Sequence, residues 1–209
     1  QYEAAEGLPF SALGEQVLQA LGAQAMCASI EEGRSRCIVN APAGQHFELP
    51  SRAHASHFIR LSEAFDSVEA VQRTAYWIVV SLIAGLECDE RLPERRFLVD
   101  HPSMLLLGTH VNQVYGGVHQ VLCLKGYPSE TTLRTEASRI LVKGPPVTAV
   151  IGISSTGKLA HVLKELAEAS QIELDICLAF AATDLPDGQM PLARLSIEGY
   201  FHSSDATSC

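Results

Sequence analysis

Basic residues are scarce in this chain: 15 Lys and Arg stand against 24 Asp and Glu, a formal charge of −9. Duplex-binding proteins draw most of their affinity from Lys and Arg set against phosphates, so no nucleic-acid partner is expected. Long apolar runs are missing too. The longest candidate, residues 76–85, is about half of the ~20 residues that cross a bilayer and reads as a core helix. The opening QYEAAEGLPF has no basic stretch followed by an apolar one, so neither a signal peptide nor a membrane partner is expected. No Cys-x-x-Cys pair occurs. Six cysteines (Cys27, Cys37, Cys88, Cys123, Cys177, Cys209) are scattered, which argues against a zinc site and for a reduced, cytoplasmic protein. Cys123 and Cys177 fall inside apolar, strand-like runs, where a thiol packs as a small hydrophobe. There is no internal repeat and no low-complexity tract.

What is present is the material of a globular fold. Apolar residues make up 47% of the 209 and charged residues 19%, enough for one α/β domain with a sizeable core. Residues 11–26 read as an amphipathic helix with Leu13, Val17, Leu18 and Leu21 on one stripe and Ser11 as its cap. Residues 38–61 alternate in the strand manner after the turn Ala41-Pro42-Ala43-Gly44, which predicts a small β-rich element. Asp66 and Ser67 offer an N-cap to a long helix. Its inward residues are Val68, Val71, Ala75, Ile78, Val79 and Leu82, and Gly85 can end it. A short strand over 97–100 precedes a helix over 103–115, stopped by Gly116-Gly117, and a strand over 118–124. Residues 125–138 are polar and Thr-rich, the composition of a mobile loop, and 139–142 read as a short strand. Strong apolar strands at 147–151 and 173–182 flank a helix over 157–169, whose face is Leu159, Val162, Leu163 and Leu166. Leu185-Pro186-Asp187-Gly188 is a turn, and 192–201 hold one or two short strands. Apolar strands alternating with helices argue for an α/β fold, a mostly parallel central sheet with helices on both faces.

The stretch richest in chemistry is VTAVIGISSTGKLAHVL, residues 147–163. A strand runs into Gly, Ser and Thr and then a helix. Such a turn points backbone N–H groups into one cavity, and the helix N-terminus adds partial positive charge. A phosphate monoester suits that arrangement. An ordinary Ser- and Gly-rich turn is the plain alternative. Gly152 and Gly157-Lys158 have the spacing of a nucleotide-binding P-loop. Leu159, however, stands where a hydroxyl should hold Mg²⁺, and the chain that follows has room for little more than one further strand-helix unit.

The elements run in a telling order. FELPSRAHASHFIRL is followed by a helix opening DSVEAVQRTAYW, then FLVDHPSMLLLG, VHQVLCL, the polar stretch, VTAVIGISSTGK, ELDICLAFAATDLPDGQ and a closing LARLSIEGYF. This order resembles the type I phosphoribosyltransferases, the orotate phosphoribosyltransferase branch in particular. The resemblance implies one domain over residues 1–209, with an N-terminal helix and β-rich hood over 1–62 and an α/β core over 63–209. It implies that Ser154, Ser155, Thr156, Gly157 and Lys158 hold the 5-phosphate of a phosphorylated ribose or nucleotide such as phosphoribosyl pyrophosphate (PRPP). It implies that Asp100, His101, Pro102 and Ser103 meet pyrophosphate, and that the loop around 125–136 is a lid. Members of the family commonly dimerise, so a homodimer or another protein partner is compatible. No cofactor can be assigned; Mg²⁺ is implied only for a PRPP-dependent reaction, and no metal ligands stand out.

The departures concern chemistry. The family ends its signature strand in two acids, and here those positions are Ile151 and Gly152. Met104, Leu105 and Leu106 follow Ser103 in place of small residues, Arg52 replaces a glycine of the opening segment, and Lys158 replaces the second glycine of the phosphate loop. Binding of a phosphorylated ribose or nucleotide without ordinary PRPP transfer is the reading that fits. If the chain is an active enzyme, it is a phosphoribosyltransferase with relocated acids, Asp100 or Glu136, with His101 as acid or base. A structural subunit of a larger assembly is the third alternative. The polar cluster of Ser51, Arg52, His54, Ser56, His57 and Arg60 reads more simply as a solvated hairpin face than as part of a site. His110, His119 and His161 read as surface or edge positions, Asp184 and Asp187 as turn residues, and Tyr76 and Trp77 as packing.

Overall fold

The computed structural model describes residues 10–49, 53–84, 92–126, 129–183, 185, 189–198 and 202–203. Ser51, Arg52, Gly85, Cys88, Asp184, the Pro186-Asp187-Gly188 turn and Cys209 lie outside them. The chain opens with α1 (Phe10–Glu32) and a single turn, α2 (Arg34–Cys37), followed by β1 (Ile38–Asn40), β2 (Phe47–Glu48), β3 (His54–Ala55) and β4 (His57–Ile59). Next come α3 (Leu61–Ala64), α4 (Val68–Ile83), β5 (Arg96–Val99), a 3-10 turn (Pro102–Met104), α5 (Leu105–Tyr115) and β6 (Gln120–Cys123). The rest is α6 (Glu130–Ile140), β7 (Val147–Ser154), α7 (Lys158–Ala169), β8 (Leu174–Ala181), β9 (Pro191–Arg194) and β10 (His202–Ser203).

Five strands form the central sheet in the order β6-β5-β7-β8-β9, and every pairing is parallel. Side chains alternate across it. Phe97, Val99, Val150 and Ala179 pack with residues of α1, α4 and α5, while Leu98, Ala149, Ile151 and Leu178 pack with residues of α6 and α7. Burial on both faces is why these strands read as continuous apolar runs. The Cys177 thiol is part of this core, and burial pushes it up to about 12. β1 pairs with β4, and β2 and β10 flank β3, all antiparallel. No helix among the described residues is long and apolar enough to cross a membrane.

Several local expectations need correction. The polar stretch expected as a mobile loop contains α6, and the short strand expected over 139–142 is the end of that helix and its turn. Ser129 caps α6 by accepting from Thr132 N, and Leu133 and Ala137 bury one narrow stripe. Thr135 Oγ1 and Ser138 Oγ donate to carbonyls four residues back, so the hydroxyls that argued against a helix are absorbed by it. The end of α6 is pinned by buried Arg96, which donates to the carbonyls of Ile140, Val142 and Pro145. The stripe assigned to the first helix also faces the wrong way: Val17, Leu18 and Leu21 are 51%, 46% and 49% exposed, whereas Met26 and Ile30 are buried. Ser11 lies within α1, which starts at Phe10. Ser67 does cap α4, accepting from Ala70 N, but Val68 is exposed. Tyr76 is exposed as well, and Trp77 is half-buried.

Candidate functional site

The strand order sets the place of the site. From β5 the chain steps outward to β6, then returns to the other side of β5 for β7 and continues to β8 and β9. The direction of winding therefore reverses between β5 and β7. Open parallel sheets leave a crevice beyond the C-terminal ends of such a strand pair, because the helices that follow them cover opposite faces. A cavity of about 440 Å³ lies there. It is walled by β4 and residues 60–62 on one side, by the ends of β5 and β7, by the 154–158 loop and by the first turn of α6.

Asp100 closes β5. Its Oδ2 accepts from Gly152 N at 3.2 Å. The residue is half-buried, and Oδ1 is buried with no partner among the described residues. Burial pushes the carboxyl up to about 7, against the lowering pull of the Gly152, Asp100 and His101 N–H groups. His101 Nδ1 accepts from Ser103 N at 3.2 Å and lies 2.8 Å from Ser103 Oγ, so the imidazole starts the 3-10 turn while lining the cavity. Gly152 is closely approached: a Cβ there would meet Leu61 Cδ2 and Met104 Cε at 2.9 Å each, the far ends of two flexible side chains that would have to shift. Ile151 is buried in the core beneath α6 and α7. The two positions where the resembled family carries acids are thus one inward apolar side chain and one close-packed glycine.

The phosphate-type loop is tied up within itself. Gly157 takes a left-handed φ of 70°, which lets the strand turn directly into α7. Gly157 N donates to Ser154 Oγ at 3.1 Å, and Lys158 N to Thr156 Oγ1 at 3.4 Å. Thr183 Oγ1 donates to Ser155 O at 2.9 Å and braces the loop from β8's end. Lys158 Nζ pairs with Glu130 Oε2 at 2.9 Å. Glu130 also meets Arg134 at 2.9 Å, and Arg134 meets Glu165 at 2.7 Å. The hydrogen bond from Lys158, then that from Arg134, hold the Glu130 carboxyl below its usual range.

Of the residues singled out from sequence, Ser154, Ser155, Thr156, Lys158, Asp100, His101 and Ser103 line this one cavity, and Gly157 shapes the loop that contains them. Glu136 is not brought in: its carboxylate accepts from Lys125 N at 2.9 Å and lines no part of the cavity. The polar N-terminal cluster divides. His57 and Arg60 line the cavity, while His54 stacks on His46 with ring centroids 4.4 Å apart. Leu61 was missed as a cavity residue and Met104 was read only as a departure from the family, whereas Glu130 and Leu133 lie within the 125–136 stretch expected over the site, there as a lid loop and here on α6. Only Ser129 as an N-cap, with Glu130 after it, carried a local sign of the helix that delivers two of them.

No protein-family model and no curated protein matches the chain. Solved structures do. An orotate phosphoribosyltransferase from Mycobacterium tuberculosis H37Rv, in complex with Fe(III) dicitrate, is 14% identical with a TM-score of 0.48, over 82% of this chain and 96% of that one. An HGPRT-ase from Leishmania tarentolae in complex with GMP is 13% identical with a TM-score of 0.41, over 61% of this chain and 78% of that one. A hypoxanthine-guanine phosphoribosyltransferase from Bacillus anthracis is 11% identical with a TM-score of 0.40, over 62% and 79%. The α/β architecture itself rests on this chain's own five parallel strands.

Mg²⁺, which the resemblance implies for a PRPP-dependent reaction, calls for charged oxygen ligands around the phosphates. Glu130 is committed to Lys158 and Arg134, Asp100 Oδ2 to Gly152 N, and Gly152 itself offers no side-chain oxygen. The donor set on this wall does not fit a protein-held Mg²⁺.

Proposed function

We propose that the chain binds a phosphorylated ribose or nucleotide in the cavity between β5 and β7, with the phosphate at Ser154, Ser155, Thr156, Gly157 and Lys158, and that it does not carry out ordinary PRPP transfer. The observation that carries this reading is a β7 end without an acid, Ile151 buried and Gly152 closely approached, beside a fully formed strand-to-helix loop. Leu61 and Met104 occupy the space above a strand end where a ribose-holding acid would stand, while the loop beside it keeps its αL glycine and helix N-terminus. An entering phosphate takes over the N–H groups of Gly157 and Lys158, and the displaced hydroxyls of Ser154 and Thr156 become donors to it. On this reading residues 1–209 act as one domain in the cytoplasm. Calorimetric titration with ribose 5-phosphate, a nucleoside monophosphate and PRPP should give micromolar-range binding, with no pyrophosphate released from PRPP when nucleobases are supplied. No heat with any of the three would remove the reading in favour of a structural subunit.

A second reading rests on Asp100. A carboxyl near about 7 at the end of β5 can both give and take a proton at neutral pH. It would serve a phosphoribosyltransferase whose acid had moved from β7 to β5. Pyrophosphate release that disappears in Asp100→Asn would favour it.

A further inference from the structure

The first half of α1 stands clear of the body. Gly14 and residues 16–21 are all exposed, and a Cβ at Gly14 would touch nothing. The helix packs only from Gly22 onward, with Gly22 against the ring of Trp77 on α4 and Met26 and Ile30 in the core. About two helical turns without a packed face are marginal in water. Exposed apolar residues scattered singly need no explanation, but Val17, Leu18 and Leu21 are neighbours on the helix surface and form one patch. The patch also lies in an uncharged stretch. Residues 10–30 hold a single charged residue, Glu15, in a chain with 15 basic and 24 acidic ones. No residue of α1 lines the cavity between β5 and β7.

The spacing says what covers this patch. Gly14, Leu18, Leu21 and Ala25 recur at helical intervals, so they share one stripe of α1. In either direction along the chain the order is small, Leu, Leu, small. A second α1 laid antiparallel across a two-fold axis therefore sets Leu18 against Leu21 of the partner subunit. It also sets Gly14 against Ala25 of the partner subunit. Each contact then occurs twice, as a two-fold interface requires. Small residues at the ends of the stripe let the helix axes come close, and the leucines fill the middle. Two chains of formal charge −9 repel one another, and least where they meet through a stretch with almost no charge. We propose that α1 is a self-association surface whose occupant is a second copy of this chain, joined as an antiparallel helix pair centred between Leu18 and Leu21.

Sedimentation velocity of the whole chain between about 1 and about 200 μM should show monomer passing to dimer, the range expected of a contact at the small end of stable interfaces. Leu18→Glu should raise the dissociation constant at least about tenfold, and so should Leu21→Lys, since each replaces an apolar contact twice per dimer with a charge. Mixed in equal amounts, the two variants should associate more tightly than either does alone, because the antiparallel register sets the new charges against each other. Both positions are exposed and both replacements are good helix formers, so circular dichroism and melting of the monomer stay unchanged. The outcome does not depend on what the cavity binds. A wild-type chain that stays monomeric throughout overturns the proposal and leaves the patch to another partner. A dimer that Leu18→Glu does not weaken overturns it as well, and so does a mixture no tighter than its components.

Discussion

At Asp100, burial and three backbone N–H groups pull the carboxyl in opposite directions, and burial prevails. An unfolded chain loses this proton near the ordinary value of 3.8, the folded chain only near about 7. Between those limits the folded form alone keeps the proton. Stability therefore falls as pH rises through the window, by up to about 1.4 kcal/mol per pH unit, and is level above it. Asp100→Asn is neutral throughout. Its urea midpoint relative to the wild type should climb across the window and then hold, and a difference that does not change with pH would contradict the assignment. Gly152 sets a second test at this scale. Gly152→Ala drives a methyl against Leu61 and Met104 and should destabilise by about 1–3 kcal/mol. Adding Met104→Ala, which removes the thioether end that is one of the two nearest atoms, should cost less than the sum of the two single losses. Independent, additive effects of the two substitutions in denaturation would show that the wall is looser than its distances imply.

Among the elements, α6 separates what the sequence reveals from what it hides. β5, β7 and β8 were legible because strands buried on both faces must be apolar throughout. α4 was legible because Ser67 and a four-residue periodicity agree. α6 buries only Leu133 and Ala137 along its length and fills the rest with Thr, Ser and charge, so its pattern resembled a loop. Its stability comes from neighbours far along the chain: Arg96 at one end, Lys158 and Glu165 at the other. No window on the sequence contains those partners. α1 failed for the opposite reason, since its clearest stripe is exposed and its buried side depends on where α4 and β9 lie. The Lys158–Glu130 contact makes α6 part of the site, and an anion must compete with it. Glu130→Gln should therefore tighten inorganic phosphate binding by about two- to fivefold, in the range of exposed ion pairs, with Lys158→Gln cancelling the gain. Unchanged affinity in Glu130→Gln would mean that phosphate does not reach Lys158.

For the molecule as a whole, the charge of −9 opposes the charge of the proposed ligand. Its far field repels an incoming anion, while the attraction of the 154–158 loop and the α7 N-terminus acts only at short range. Stopped-flow association rates for ribose 5-phosphate should rise as salt is raised from about 0.01 to about 0.15 M, as screening shortens the Debye length from ~30 to ~8 Å. A falling rate would show that local cations govern the approach. The parallel sheet could be anticipated at this scale from the alternation of apolar strands and helices. That residues 57–62 and the 154–158 loop line one cavity could not, since the pairing of β1 with β4 and the reversal at β5 are both long-range. β10 has a consequence for timing. The three-stranded sheet that it forms with β3 and β2 joins residues 47–55 to His202 and Ser203, which lie far along the chain. On the ribosome, the paired β2 and β3 must wait for residues 202–203 before the free edge of β3 is covered. Until then that edge is open to pairing with other nascent chains.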